Sequence, residues 1–257
     1  MKLCSLCLVI LILVATLHNE AGGDTLSFNT QDFPPFSYEK QGRVEGAGAE
    51  IIRAVCNKMQ ISCTIRLLPW RRAQEEAKKG KVNGLFMIGK NKVREKWLYF
   101  SSPIIETQYG FFVRKNDNLN YQELSNIAGY QVGVYGPSNT SYTLETIKSQ
   151  MLKQEIFPIK ITFLPDDIGL FKMLDKGRVI ESVFSNKAVG FEIIKNNNLE
   201  RIRYAGSYKK LYYYVGLSKQ YTPKSVVDSF NNRYFELCSA GVIGSILDRF
   251  ELEKASL

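Results

Sequence analysis

Strand-like and helix-like segments alternate along this chain, and the alternation starts again near its middle. The first series begins with a strand at Thr25–Thr30, and the second begins with a strand at Gln131–Val134. Alternation over roughly 10 to 15 residues is typical of parallel β-α-β units. The pattern therefore predicts an α/β fold built from two similar halves.

The individual elements follow from the hydrophobic pattern. The first half has predicted strands at Thr25–Thr30, Ile61–Leu68 and Val82–Ile88, and helices at Ala49–Met59 and Arg71–Lys79. The second half has predicted strands at Gln131–Val134, Ile159–Phe163 and Ile180–Phe184, and helices at Thr140–Gln150 and Asp167–Asp175. A strand at Leu211–Leu217 and helices at Pro223–Leu237 and Ile243–Phe250 complete the chain.

Two segments, Glu75–Val82 and Phe171–Val179, repeat each other in detail. Each contains Lys-Gly at the end of a predicted helix and then enters a strand through a basic residue and Val. Glycine adopts the left-handed conformation that ends a helix, and lysine complements the helix dipole. Because no low-complexity linker separates the halves, we predict two lobes joined by short hinge strands rather than tethered domains.

The N-terminus has the pattern of a secretory signal peptide. Lys2 precedes an apolar run, Leu3–Leu17, that ends in the polar and small residues His18–Gly23. This run is shorter than the roughly 20 apolar residues of a membrane-spanning helix. We therefore predict a leader over residues 1–21 that is cleaved on export to the periplasm.

Composition excludes several chemistries. The single histidine, His18, lies in the predicted leader, which excludes Ser-His-Asp and Cys-His catalysis in the mature chain. The net charge of +9 favours anionic ligands or nucleic acid. We expect no nucleic-acid binding, because export argues against it and no nucleic-acid-binding motif is present. The pair Gly46-x-Gly48 lacks the third glycine of a dinucleotide loop, so we expect no cofactor, and no metal site is predicted.

Three cysteines lie beyond the leader. Cys56 and Cys63 can bridge a helix end to the following strand, which would stabilise the fold by about 2 kcal/mol. The alternative is that both are small buried hydrophobes. Cys238 lies in a helical pattern and is predicted to be a buried free thiol.

Several short motifs occur in a fixed order along the chain. They are Phe33-Pro34-Pro35-Phe36, Gly46-Ala47-Gly48-Ala49-Glu50-Ile51, Pro69-Trp70-Arg71-Arg72, Gly80-Lys81-Val82, Arg94, Phe100-Ser101-Ser102-Pro103 and Gly129–Val134. This series resembles the family 3 extracellular solute-binding proteins, the periplasmic polar-amino-acid receptors of ABC transporters. The resemblance covers nearly all of the mature chain, and the Pro-Trp-Arg-Arg motif resembles a freestanding subgroup.

The resemblance implies a two-lobed periplasmic-binding-protein (Venus flytrap) fold that closes on one small ligand. It places lobe 1 at residues 24–113 and 210–257 and lobe 2 at residues 114–209. The crossing strands are expected near Phe112–Arg114 and Ser207–Leu211. The implied partner is an ABC permease or a sensor protein, and the receptor is expected to be a monomer.

The resemblance also implies the ligand-binding residues. Arg94 stands where the family clamps a ligand carboxylate, and a guanidinium matches two carboxylate oxygens; the alternative is a solvated basic turn. Phe33 and Trp70 stand where aromatic faces surround the ligand, although core packing is the commoner fate of an aromatic residue. Ser138, Asn139 and Thr140 begin a helix that suits an anionic group, or that Ser138 simply caps. Asn186 stands where the family places a carboxylate for the ligand ammonium.

Two departures from the family define the expected ligand. Phe86, Met87 and Gly89 replace the usual hydroxyl residues, and Asn186 cannot neutralise an ammonium. We therefore expect a carboxylate-bearing ligand without a free α-ammonium, with an aromatic or planar part between Phe33 and Trp70. The alternative function is a periplasmic cyclohexadienyl or prephenate dehydratase-like enzyme on the same fold. It would need an acid in the cleft, and no candidate is convincing among Glu50, Glu181 and Glu192, so we expect a binding protein and not an enzyme.

Overall fold

β-strands and α-helices alternate in the computed structural model, which describes residues 25–255. The predicted leader lies outside these described residues. The strands are β1 (Thr25–Thr30), β2 (Tyr38–Lys40), β3 (Arg43–Glu45), β4 (Ser62–Leu67), β5 (Gly84–Ile88), β6 (Leu98–Phe100), β7 (Ile105–Arg114), β8 (Gln131–Tyr135), β9 (Lys160–Leu164), β10 (Ser182–Asn186) and β11 (Ile202–Ser218). The helices are α1 (Ala47–Met59), α2 (Trp70–Lys78), α3 (Lys92–Glu95), α4 (Asn139–Lys153), α5 (Asp167–Asp175), α6 (Lys187–Asn196), α7 (Lys224–Ser239) and α8 (Val242–Arg249), with a 3₁₀ helix at Leu124–Ile127.

Two sheets share the long strand β11. In the first sheet, β4, β1 and β5 are parallel, and β5 and β6 pair antiparallel with Tyr214–Ser218 of β11. In the second sheet, β9, β8 and β10 are parallel, β10 pairs antiparallel with β7, and β7 pairs with Ile202–Tyr213 of β11. Hydrogen bonding is continuous from one sheet to the other through β11. Because the two parts of β11 belong to different sheets, β11 is a crossing strand of the predicted kind.

The change of strand partners shows where the chain crosses between the sheets. Tyr109–Val113 of β7 pair with β10, whereas Ile105–Gln108 precede this pairing. In β11 the partner changes between Tyr213 and Tyr214. The division into residues 24–113 plus 210–257 and residues 114–209 remains a prediction. The pairing supports moving its boundaries toward Tyr109 and Tyr213.

Aromatic side chains fill the space between the sheets and their helices. Phe28 of β1 and Phe230 of α7 are fully buried, with ring centres 6.2 Å apart. In the second sheet, Phe111 lies 4.9 Å from Phe184, and Phe112 lies 5.1 Å from Phe171 of α5. Burying one such side chain contributes about 1.5 to 3 kcal/mol, so these contacts hold each sheet to its helices.

A disulfide joins α1 to β4. Cys56 and Cys63 are bonded, and their Cα atoms are 6.1 Å apart. This confirms the predicted bridge and not the alternative of two separate buried cysteines. Cys238 is buried and unpaired among the described cysteines, as predicted. Gly80 and Gly177, in the repeated Lys-Gly segments, have φ values of 68° and 64°, which confirms the predicted helix ends.

Candidate ligand-binding site

The predicted ligand-binding residues follow the carboxyl ends of parallel strands. In the first sheet, Phe33 follows β1, Trp70 follows β4 and Arg94 follows β5. In the second sheet, the segment Ser138–Thr140 follows β8, and Asn186 is the last residue of β10. Parallel strands end at one edge of their sheet, which is where α/β proteins bind ligands. The topology therefore collects the predicted residues at two carboxyl edges.

The strand register brings these two edges toward each other. Ile88, the last residue of β5, pairs with Tyr214 of β11. Asn186, at the end of β10, pairs with Tyr109 of β7, which itself pairs with Lys209 of β11. β5 runs toward lower residue numbers of β11 and β10 runs toward higher ones, so their carboxyl ends point at each other. The segment of β11 between them spans roughly 17 Å at 3.4 Å per residue, and we call the space over it the candidate cleft.

Arg94 and Trp70 lie together at the edge of the first sheet. The guanidinium carbon of Arg94 is 6.0 Å from the centre of the Trp70 ring. Its Nη1 donates to the Gly89 carbonyl at 2.7 Å, and its Nη2 donates to Gln74 Oε1 at 3.4 Å. Burial lowers the pKa of Arg94, but an arginine remains charged at any physiological pH. Arg94 is thus a partly buried cation held in place by neutral groups, unlike the exposed Lys92 in the same turn.

Phe33 packs against the crossing strands. Its ring centre is 4.9 Å from that of Phe36 and 5.8 Å from that of Tyr213 in β11. A side chain at Gly46, where φ is 108°, would meet the Phe36 carbonyl carbon at 2.7 Å. Gly46 therefore lets the start of α1 approach the Phe33 loop closely, which accounts for this glycine without a cofactor. The described ring contacts join Phe33 to Phe36 and Tyr213, whereas Trp70 contacts Arg94.

Asn186 is a buried link between three elements. Its Oδ1 accepts hydrogen bonds from Thr107 Oγ1 of β7 at 3.0 Å and from the Ala188 amide at the start of α6 at 3.0 Å. Its Nδ2 donates to the Tyr213 hydroxyl of β11 at 3.3 Å. Both ends of the amide are therefore engaged by the protein itself. The ligand contact expected of Asn186 stays a prediction, and the structure adds a role in joining the crossing strands to α6.

The start of α4 combines a helix cap with a contact to the crossing strand. Ser138 caps α4, since its Oγ accepts from the Ser141 amide at 3.1 Å. Asn139 is exposed, and Thr140 is partly buried. Burial raises the pKa of Tyr109, and a hydrogen bond with the Thr140 side chain opposes part of this increase. The predicted capping role of Ser138 is confirmed, and Thr140 is the residue of this segment that reaches the crossing strand.

A carboxylate that the sequence did not single out lies at the same edge. Asp167 begins α5, just beyond β9, and it is partly buried. Burial, followed by the charge of Asp166, raises the pKa of Asp167 to about 6, and Asp167 in turn raises the pKa of Tyr109. The only sequence signal was an acidic pair at a helix start, which is ordinary in helices. Three further residues contact the site residues although no local motif marks them: Thr107, Tyr109 and Tyr213.

A cavity of about 280 Å³ lies beside the C-terminal segment, and Thr107 is the site residue that it shares with the contacts around Asn186. Pro35, Thr107, Lys187, Phe191 and Glu253 are among its lining residues, whereas none of the predicted ligand-binding residues lines it. Lys187 Nζ and Glu253 Oε1 form an ion pair at 3.0 Å across one side. Lys195 and Arg249, the other cations that line it, form ion pairs with Glu251 and Glu50, so the candidate cleft is the better site for an anionic ligand.

The carboxylates considered for an enzyme are each engaged by a neighbour: Glu50 by Arg249, Glu181 by the Gln131 amide at 2.8 Å, and Glu192 by Asn196 at 2.9 Å. Within residues 25–255, no group of three or more His, Cys, Asp or Glu side chains is arranged to hold a metal ion. None of the helices in that range has the length and apolar character that a membrane crossing needs.

Two α/β lobes joined by crossing strands, with carboxyl edges facing each other, define the two-lobed periplasmic-binding-protein fold. The sequence assigns the chain to one family within this fold. It belongs to the bacterial extracellular solute-binding proteins, family 3, whose sequence profile matches residues 28–224. The family consists of binding proteins, which supports the expectation that this chain is not an enzyme.

Solved structures show the same fold at low sequence identity. A histidine kinase sensor domain with similarity to periplasmic binding proteins matches with a TM-score of 0.72 and 18% identity, over 91% of this chain and 99% of the domain. An ancestral arginine-binding protein bound to arginine matches with a TM-score of 0.69 and 19% identity, over 88% of this chain and 97% of that protein. A structure from work on glutathione import through GshT and the cystine ABC importer TcyBC of Streptococcus mutans matches with a TM-score of 0.73 and 19% identity, over 89% of this chain and 95% of that chain. No curated protein sequence matches the chain.

Proposed function

We propose that this protein captures a small carboxylate-bearing solute in the candidate cleft and presents it to an ABC transporter or a sensor. The observation that carries the proposal is Arg94, a partly buried guanidinium at the carboxyl edge of the first sheet. Arginine has five N–H donors, and the two described side-chain hydrogen bonds leave donors for a carboxylate. The Trp70 ring beside it offers a flat apolar face to the rest of the ligand.

The second sheet supplies the other wall of the proposed site. Thr140 and Tyr109 present hydroxyl groups at the opposite carboxyl edge. Asn186 holds this edge to the crossing strands through Thr107 and Tyr213. A ligand between the edges would contact both lobes, and this geometry favours capture by closure of the lobes.

Family membership and the structural relatives support a role in uptake or sensing. The relatives include a substrate-binding domain of a putative amino acid ABC transporter from Streptococcus pneumoniae, with 18% identity and a TM-score of 0.72, over 88% of this chain and 99% of that domain. The histidine kinase sensor domain supports sensing as the other role. Together with the leader pattern, they support an exported, periplasmic protein, and we propose that it acts as a monomer.

A thermal-shift screen tests the proposal. The protein without residues 1–21 is mixed with amino acids, organic acids and small peptides. A solute at one hundred times its dissociation constant stabilises the folded state by about 2.7 kcal/mol. We expect at least one carboxylate-bearing solute to raise the melting temperature of the wild type and to lose most of this effect in Arg94→Lys. Stabilisation only by solutes without a carboxylate would contradict the proposal.

A further inference from the structure

A group of exposed lysines lies at the end of the first sheet that points away from the candidate cleft. β5 runs from Gly84 to Ile88 toward the cleft, so the turn before Gly84 lies at the opposite end. Ser218, the last residue of β11, pairs there with Leu98 at the start of β6. We call this group of lysines the basic pole: Lys78, Lys79, Lys81, Lys96 and Lys219.

Hydrogen bonds hold the segments of the basic pole together. Ser218 Oγ donates to the Ala77 carbonyl at 2.9 Å, and the Ser218 amide donates to the Asn83 carbonyl at 2.7 Å. The Lys219 amide donates to the Trp97 carbonyl at 3.1 Å. Each lysine of the pole lies within two residues of one of these bonded groups, so the lysines lie together on one surface.

The protein itself does not neutralise the charge of the basic pole. Within residues 25–255, none of its lysines forms an ion pair. The Lys219 ammonium donates to the Glu95 backbone carbonyl at 2.6 Å and lies 5.2 Å from the centre of the Tyr99 ring. The neighbouring carboxylates are paired with other cations: Glu75 with Arg71, Glu95 with Lys90 and Asp228 with Lys224. The pole therefore produces a positive potential that attracts an anionic partner.

The composition of the pole indicates the kind of partner. Specific protein interfaces are enriched in arginine and depleted in lysine, and a guanidinium matches one carboxylate in a fixed geometry. The cations of the pole are all lysines, whose ammonium groups sit on flexible stems. Tyr221 is 51% exposed beside them, since a side chain at Gly80 would meet its β-carbon at 3.6 Å. Because tyrosine is enriched where proteins meet lipid headgroups, this surface suits phosphate groups spread over a bilayer better than one fixed carboxylate.

We infer that the basic pole binds the anionic headgroups of a phospholipid bilayer. This surface is separate from the candidate cleft, so the inference goes beyond the proposed function and adds a second binding surface. Contact through the pole leaves the cleft, at the other end of the sheet, open to solutes. It also keeps the protein next to a transporter or sensor in the same membrane.

The matching turn of the second sheet provides a control within the chain. Lys176 and Arg178 flank its glycine as two lysines of the pole flank Gly80, and both are exposed. Carboxylates lie among these cations, however, since Asp175 pairs with Arg201 at 2.6 Å and Glu181 is exposed. The second turn therefore allows the same loss of charge to be made at a surface that we do not expect to bind lipid.

Co-sedimentation with lipid vesicles at low ionic strength tests the inference. The protein without residues 1–21 is mixed with vesicles of equal parts phosphatidylglycerol and phosphatidylcholine, and with vesicles of phosphatidylcholine alone. Poly-glutamate is titrated into the same proteins as a model of an acidic protein. The pole variant combines Lys79→Gln, Lys81→Gln and Lys96→Gln. The matched control combines Lys172→Gln, Lys176→Gln and Arg178→Gln, which removes the same charge from exposed positions of the second sheet.

We expect the wild type to bind the phosphatidylglycerol vesicles and not those of phosphatidylcholine alone, and to dissociate as salt is added. The pole variant should bind at least tenfold more weakly, whereas the control should stay within threefold of the wild type. Both variants should keep any solute-induced rise in melting temperature, so that a loss on vesicles concerns the pole and not the proposed function.

Two results would overturn the assignment of the basic pole. Equal losses in the pole variant and the control would show that net charge alone explains the binding. A wild type that does not bind the phosphatidylglycerol vesicles would also contradict it, and poly-glutamate binding that the pole variant loses would then assign the pole to an acidic protein.

Discussion

At the scale of single residues, Arg94 carries the proposed carboxylate contact. Lysine keeps the charge but loses the planar pair of donors that matches a carboxylate. We therefore predict that Arg94→Lys weakens binding of a stabilising solute more than tenfold, measured by calorimetry, while circular dichroism shows an unchanged fold. Arg71→Lys is the control, since the Arg71 side chain is 94% exposed on the neighbouring helix α2. Unchanged affinity in Arg94→Lys would contradict the carboxylate contact and favour the alternative, in which Arg94 is part of a solvated basic turn.

Asp167 makes folding stability depend on pH. Its pKa is raised from 3.8 to about 6 in the folded protein, so the folded state favours the protonated carboxyl. Its contribution to stability is present below about pH 3.8 and is lost as the pH rises through about 6. The asparagine in Asp167→Asn stays neutral at every pH. We therefore predict that the free energy of unfolding of this variant, relative to that of the wild type, rises by on the order of 2 kcal/mol as the pH goes from 4 to 7.

Urea denaturation of ligand-free protein at the two pH values measures this difference. Asp248→Asn is the control, because Asp248 is exposed near the end of α8. It should follow the wild type at both pH values. A difference between Asp167→Asn and the wild type that is the same at pH 4 and pH 7 would show that Asp167 titrates normally.

Tyr213 connects the aromatic cluster around Phe33 to Asn186. Its hydroxyl accepts a hydrogen bond from Asn186 Nδ2 at 3.3 Å. We predict that Tyr213→Phe lowers the free energy of unfolding by about 1 kcal/mol, the usual net value of one intramolecular hydrogen bond. Tyr142→Phe, at a residue that is 62% exposed, should have no measurable effect in the same denaturation experiment. Equal stabilities of the two variants would mean that the Asn186 link contributes nothing.

The sequence identified site residues where a local motif marks them and missed those defined by distant contacts. Arg94 and Trp70 belong to short motifs, and the structure places them together. Tyr109 and Tyr213 are far apart in the chain, and each joins the site only because β7, β10 and β11 are neighbours. Asp167 was predicted to begin a helix, but its desolvation depends on the packing of α5 near Tyr109.

At the scale of elements, the disulfide joins α1 to the edge strand β4. It closes a loop of few residues, so it stabilises the fold by about 2 kcal/mol through restriction of the unfolded chain. We predict that thiol titration of denatured, unreduced protein lacking residues 1–21 finds one thiol per chain, from Cys238. Three thiols under the same conditions would show that Cys56 and Cys63 are not bridged.

Elements with strong hydrophobic periodicity were predictable from the sequence pattern, whereas the crossing strands were expected only through the family resemblance. The strand Thr25–Thr30 and the helix Asp167–Asp175 have the same bounds in the sequence prediction and in the structure. The hydrophobic pattern indicated only Leu211–Leu217 of β11, and the resemblance added a crossing strand near Ser207–Leu211, so that only Ile202–Gly206 was missed. Helix α6 was missed as well, and its start depends on the Asn186 cap, whose Oδ1 also binds Thr107 of another strand.

At the scale of the whole molecule, β11 joins the two sheets because it belongs to both of them. Its residues before Tyr214 pair with β7, and the rest pair with β5 and β6. The C-terminal segment also contacts both lobes, since Glu253 pairs with Lys187 of α6 and its carbonyl accepts from the Glu106 amide at 3.2 Å. The repeated helix ends at Gly80 and Gly177 allowed two lobes to be predicted, whereas these crossing contacts follow from tertiary packing alone.

The central claim is that one ligand contacts the carboxyl edges of both sheets. Backbone amide chemical shifts of isotope-labelled protein test it directly when a solute that stabilises the wild type is titrated to saturation. The account predicts saturable changes at both edges, in Gly89–Arg94 after β5 and in Ser138–Thr140 and Asp167 beyond β8 and β9. Changes confined to one lobe, or centred on Lys187 and Glu253 around the C-terminal cavity, would contradict it.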